Sequence, residues 1–181
     1  MNRIADFLFE GHMLKNLPRS GYPFLGVGKE SVAEHTFMVA FIAWVLSRME
    51  PTVDVGRLIS MCLVHDLPEA RIGDLNAVQK RYVRADEDAA VTDTAQGLPF
   101  GDELTALIGE FNAGLTRESQ LARDADHLAL VIDLKALSDR GYRTPEKWQP
   151  HVLARLKTES AKSLARAVTQ RDFDGWWLDG F

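Results

Sequence analysis

Three places in this chain put a titratable side chain where an apolar one would be expected. His35 lies on the stripe Val32, His35, Val39, Ile42, Leu46, Met49, whose spacings of three and four mark one face of a helix. His65 repeats the pattern beside Leu58 and Met61–Cys62, and Asp66 follows it directly. Asp126 shares a helix face with Ala122 and Leu130 in a segment rich in leucine and valine. One such histidine alone is best read as a core imidazole hydrogen-bonded to a neighbour. Two on separate helices, together with a carboxylate too costly to bury unpaired, share a single explanation in a cation. Arg123, three residues before Asp126, is the structural alternative for that carboxylate. Asp124 reads as a solvated neighbour, and His127 projects about 100° around the helix from Asp126.

His35, His65, Asp66 and Asp126 make a mixed nitrogen and oxygen set. It suits one divalent transition metal ion: Mn²⁺, Co²⁺, Fe²⁺, Ni²⁺ or Zn²⁺. Four protein ligands leave room for water and a substrate oxygen, as catalytic sites require. No histidine occurs between Asp66 and His127, so a second ion would need carboxylates only, and one ion is preferred. Such an ion would acidify water and neutralise charge on a phosphate. Asp66 is also well placed to cap a helix opening at Pro68, with Glu69 as its capping-box partner. Glu69 could equally accept a proton from water. Arg19 could grip two phosphate oxygens at once. Tyr22 could offer a stacking face to a base, although an aromatic in a glycine-rich loop more often packs on its own domain.

These side chains must be held by helices. Ile4 to Leu14 has helical spacing and ends at Leu17–Pro18; a loop from Arg19 to Glu30 follows. Ser31 with Glu34 forms a capping box ahead of the His35 stripe, and Pro51 stops that helix. Asp54 caps the helix carrying His65. Further helices are expected at about Arg84–Gln96, Asp102–Phe111, Thr116–Arg140 and Pro150–Val168, with a short helical turn opening at Thr144–Pro145. Gly141 stands where a left-handed terminal residue is wanted. Alternating strand patterns with hairpin turns are absent, so the expected fold is all-α, a single helical domain over residues 1–181.

The 181 residues suit one domain, and 46% hydrophobic with 26% charged residues suffices for a core. The net charge of −5 argues against a nucleic-acid polymer as partner, since phosphate neutralisation needs a basic face. A small phosphorylated ligand is compatible with it, because an ion and one arginine can supply local positive charge. The lone Cys62 permits no internal disulfide and fits a reducing, cytoplasmic setting. The N-terminus lacks a secretion-signal layout, and the apolar run Thr36 to Leu46 falls short of a membrane span, so no membrane partner is expected. Four large aromatics in the last nine residues suggest a tail docked on its own domain or on a second subunit.

The motifs resemble those of the HD-domain metal-dependent phosphohydrolases, in the form seen in the bacterial 5′-deoxynucleotidase branch. Ser31-Val32-Ala33-Glu34-His35 is similar to the first histidine motif of that superfamily. The run from His65-Asp66-Leu67-Pro68-Glu69 to Gly73-Asp74 is similar to its His-Asp motif. Arg123-Asp124-Ala125-Asp126 matches the position of its last aspartate, and Leu17 to Tyr22 resembles the arginine-bearing segment upstream. The likeness spans about residues 13 to 140. It implies an all-helical fold with His35, His65, Asp66 and Asp126 on the metal. It also implies that Glu69 positions or deprotonates the attacking water, that Arg19 orients the phosphate, that Asp74 contacts the nucleoside, and that the protein is a homodimer. Tyr22 stands where the family usually has tryptophan, and Leu75-Asn76-Ala77-Val78 replaces a stretch that often holds proline.

The expected activity is therefore release of phosphate from (deoxy)nucleoside 5′-monophosphates. The alternatives are an HD-type hydrolase of di- or triphosphates, cyclic nucleotides or other phosphate esters, and a nucleotide-binding regulatory module without turnover. Little chain is left over for an added recognition domain, which favours small monophosphates. The presence of Glu69 and Arg19 speaks against the regulatory module.

Overall fold

The computed structural model describes residues 1–180. Its elements are α1 (Asn2–Met13), α2 (Tyr22–Leu25), α3 (Val32–Met49), α4 (Val55–Val64), α5 (Glu69–Ile72), a 3₁₀ turn (Gln79–Arg81), α6 (Glu87–Ala95), α7 (Gly101–Ala113), α8 (Arg117–Asp139), α9 (Arg143–Leu153), α10 (Glu159–Gln170) and α11 (Gly175–Leu178). Among the described residues no strand forms; a single antiparallel bridge joins Pro18 to Ser31. The all-α architecture is the one the periodicity anticipates.

Helices α3, α4 and α8 form the centre. Leu46 of α3, Leu58 and Met61 of α4, and Leu121 and Leu128 of α8 are fully buried in one cluster. Burying each leucine contributes about 1.5–3 kcal/mol. Ala122, Ala125 and Ala43 in the same cluster are small enough to let the helices approach closely. Beyond α8, Leu25 of α2 and Val152 of α9 pack with Val131 and Leu134 of α8. Both halves of the Ser31–Glu34 capping box are made, so the turn that carries His35 starts at a fixed residue. Asp54 caps α4 by accepting from the Arg57 N–H.

Helix α3 runs for 18 residues at a mean hydropathy of 1.2, long and apolar enough by length and composition to cross a bilayer. It is longer than the apolar run Thr36 to Leu46, because Val32, Ala33 and Met49 extend it. Its inward stripe packs on α4 and α8. Its outer side carries Phe37, Phe41 and Trp44, which are exposed and stacked in sequence.

Four sequence expectations need correction. The helix expected over Pro150–Val168 is two, α9 and α10, with Pro150 inside α9 and a break at residues 154–158. The break is held by Asp124, which is no solvated neighbour. Its carboxylate is 1% exposed and accepts from Lys157 N (2.9 Å), Thr158 N (2.8 Å) and Thr158 Oγ1 (2.7 Å). Asp66 does not cap α5, whose start receives no side-chain hydrogen bond, because its carboxylate is turned to His65 and Arg19 instead. Arg123 does not meet Asp126; it donates to the Asn112 carbonyl. Gly141 does adopt a positive φ, 93°, after α8. In the tail, the Phe173 N–H donates to Asp139 and Arg140 lies over the Phe173 ring, while Trp176 is 83% exposed. The docked part of the tail thus lies against the end of α8.

Candidate functional site

The three central helices deliver His35, His65 and Asp126 to one point. One ligand atom from each lies within 4.8 Å of the others. His35 Nε2 is 2.9 Å from Asp126 Oδ1. Asp66 Oδ2 is 3.2 Å from His65 Nε2 and 3.8 Å from His35 Nε2. His35 enters from the first turn of α3, and His65 sits at the end of α4, where the chain turns toward α5. His65 Nδ1 is tied to the Cys62 carbonyl at 2.8 Å, which turns Nε2 toward the carboxylates. Nε2 is buried and makes no aligned hydrogen bond, even to Asp66.

The electrostatics of the cluster call for a cation. Burial alone would drive His65 toward the neutral form, yet Asp66 and Asp126 overcome it and hold the imidazole up at about 9. Burial likewise opposes ionisation of Asp126, but the hydrogen bond and charge of His35, with that of His65, keep its carboxyl well below the usual range. Asp66 is depressed against its burial by His65 and Arg19. A divalent ion bound there would take the place of that proton and would need both imidazoles neutral. The orphaned Nε2 of His65 and the mixed donor set fit a transition metal ion on His35, His65 and Asp126, with Asp66 Oδ2 beside both imidazoles.

Next to this cluster lies a cavity of about 370 Å³, lined among others by Arg19, Asp66, Glu69, Asp74 and Asp126. Arg19 Nη1 donates to Asp66 at 3.2 Å, and its Nε lies 3.8 Å from Asp74. Burial works against the Arg19 charge, but Asp66, Asp74, Asp126 and Glu69 more than offset it, so the guanidinium stays protonated. Asp74 also accepts from the Ser20 N–H at 2.8 Å and so pins the loop that carries Arg19. Glu69 is pushed up to about 9, first by burial and then by Asp66 and Asp74, and its Oε2 is buried without a partner. It is a carboxyl that a neighbouring cation would return to the ionised form. Tyr22 lines the cavity too, but its hydroxyl is engaged: it donates to Asp133 and lies 3.4 Å from Glu30.

Several residues around the site were not legible beforehand. His127 lines the cavity with a buried, unpartnered Nδ1, and burial lowers its pKa. Trp148 of α9 and Arg155 beyond it reach the same cavity from the last quarter of the chain. Nothing in their spacing relates them to the histidine motifs. Glu30, beside His35, had a usable signal in being a carboxylate directly ahead of the Ser31 cap. Arg71 of the His-Asp motif bridges Glu10 and Thr94 and does not line the cavity.

With this geometry in hand, the comparisons with known proteins are specific. A family profile described as "HD domain" matches residues 12–168. The 5′-deoxynucleotidase of Schizosaccharomyces pombe is 26% identical over 141 residues, covering 72% of this chain and 70% of that protein. The human 5′-deoxynucleotidase is 26% identical over 142 residues, covering 75% and 69%. Among solved structures, a conserved hypothetical protein of Pyrococcus furiosus superposes with a TM-score of 0.79 at 29% identity, over 92% of this chain and 99% of that one. A predicted metal-dependent phosphohydrolase of Magnetospirillum magnetotacticum shares the fold with a TM-score of 0.74 at 23% identity, over 93% and 90%.

Proposed function

The chain belongs to the HD-domain family, and from that premise we propose that it is a metal-dependent phosphohydrolase that releases phosphate from (deoxy)nucleoside 5′-monophosphates. The observation that carries the reading is the convergence of His35, His65 and Asp126 within 4.8 Å, with the His65 Nε2 left without a partner. The naming of relatives as 5′-deoxynucleotidases supports the substrate class.

One divalent ion on His35, His65, Asp66 and Asp126 would supply Lewis-acid chemistry: charge neutralisation on the phosphate and a lower pKa for water. Arg19 binds the phosphate. Asp66 and Asp74 hold its guanidinium at the cavity wall, where it can meet two oxygens in a planar fork. Glu69 takes the proton of the attacking water; a divalent ion beside it would hold its carboxyl ionised for that role. As the new P–O bond forms, the bond to the 5′ oxygen breaks, and the leaving oxygen takes up the proton that Glu69 received, so the nucleoside departs neutral. Asp74 fixes the Arg19 loop through Ser20 and contacts the nucleoside from the same wall. The reading includes a homodimer, supported by the exposed, stacked Phe37, Phe41 and Trp44 on α3, a surface of the composition that interface cores favour.

The test is phosphate release from a panel of ribo- and deoxyribonucleoside monophosphates with each of Mn²⁺, Co²⁺, Fe²⁺, Ni²⁺ and Zn²⁺. Glu69→Ala and His65→Ala run beside the wild type. Activity that survives both changes refutes the site. Turnover confined to di- or triphosphates refutes the substrate class, and metal uptake with no turnover of any phosphate ester supports a regulatory module instead.

A further inference from the structure

We propose that Glu30 is the positioning residue for His35: it holds the ring from behind, so that Nε2 presents to the metal. The inference rests on the metal site proposed above. His35 is 1% exposed, and its two nitrogens face different groups. Nε2 looks at Asp126, 2.9 Å away, and Nδ1 looks at Glu30 Oε2, 3.8 Å away. A neutral imidazole that binds through Nε2 must carry its proton on Nδ1, and a carboxylate behind it fixes that tautomer and raises ligand basicity. His65 meets the same need through the Cys62 carbonyl. His35 makes no such bond to its own helix; the carbonyl three residues back, at Val32, accepts from Thr36 Oγ1 instead. Glu30 is the carboxylate that faces it, at 3.8 Å an ion-pair distance rather than a hydrogen bond.

Glu30 is itself held from several sides. Its carbonyl accepts from the Arg19 N–H at 2.9 Å, and Ser31 after it is locked in the α3 capping box. Its Oε2 lies 3.4 Å from the Tyr22 hydroxyl, which donates to Asp133 of α8. The Tyr22 ring can seat there because Gly28 has a φ of 78° and no side chain; a Cβ would come within 3.0 Å of the ring. The aromatic that sequence reasoning offered to the substrate base is thus part of the support behind a metal ligand. The carboxylate is 12% exposed, too enclosed for a solvated surface charge.

The experiment measures Co²⁺ and Zn²⁺ affinity of the purified full chain for the wild type, Glu30→Gln, Glu30→Ala and the control Glu34→Gln. The last weakens the same helix cap without touching His35. Expected is a loss of affinity of about 10–100-fold in both Glu30 variants, with Glu34→Gln unchanged. In Zn²⁺-loaded protein, imidazole nitrogen NMR should show protonated Nδ1 for both His35 and His65 in the wild type, and the His35 Nδ1–H should exchange with solvent much faster in Glu30→Ala. A purely structural Glu30 would shift the unfolding midpoint and leave affinity and this exchange alone, which overturns the inference. If the wild type takes up neither ion, the metal site itself is wrong and this role falls with it; uptake by the wild type matched by Glu30→Ala overturns the role of Glu30 alone.

Discussion

Replacing Asp124 by alanine separates two opposite accounts of that residue. Were it a solvated neighbour of the site, the change would cost less than about 0.5 kcal/mol. In the structure its carboxylate is buried and accepts two backbone N–H groups and one hydroxyl, all at 2.9 Å or less. Alanine leaves Lys157 N and Thr158 N unpaired at the start of α10. Each orphaned buried donor costs about 1–3 kcal/mol. The Thr158 hydroxyl keeps Ser160 Oγ within 3.2 Å, and Lys157 is exposed enough for water to replace one bond, which places the total near the lower end. The expected loss is about 3 kcal/mol, or roughly 6–12 °C in Tm for a chain of this size. Asparagine retains one acceptor oxygen and should lose about half as much. Calorimetry and urea unfolding of the two variants measure this directly. A midpoint for Asp124→Ala within about 2 °C of the wild type would refute the view that this carboxylate holds α10 onto α8.

Three further outcomes follow from the site and its supports. Glu69→Gln should lower kcat by about 10²–10⁴-fold while Co²⁺ uptake persists, read by phosphate release and metal titration. Arg19→Ala should lower kcat/KM by about 10–100-fold, the equivalent of one charge-assisted hydrogen bond, mostly through KM. Glu50, which accepts from Arg117 and Ser160, has its carboxyl held below the ordinary 4.5 by those hydrogen bonds in spite of burial. Its contribution is therefore full above pH 4.5 and fades as the pH falls through its lower folded value. Glu50→Gln should cost about 1 kcal/mol in urea unfolding at pH 7, and the cost should shrink progressively as the pH is lowered below 4.5.

Local chemistry made most of the helices legible. The Ser31–Glu34 box, the Asp54 and Thr116 caps and the glycine at 141 act within a few residues, so the starts of α3, α4 and α8 and the end of α8 could be read directly. The break at residues 154–158 is not legible in the local sequence, because it depends on Asp124, more than thirty residues away. Asp66 illustrates the same limit: its cap motif was sound locally, but a nearby imidazole and guanidinium outcompeted it.

By itself, the sequence determined that the chain is helical, which faces of which helices are apolar, and that His35, His65 and Asp126 lie on those faces. Periodicity and capping are short-range properties, and a polar residue on an apolar stripe declares a buried partner without naming it. Tertiary structure decided who the distant partners are: Asp126 for His35, Arg19 for Asp66, and Asp124 for α10. It also brought Trp148 and Arg155 to the cavity that holds Arg19 and Glu69. Such pairings depend on how α3, α4, α8 and α9 stack. That stacking is set by the summed fit of many apolar side chains, which no single spacing along the chain encodes.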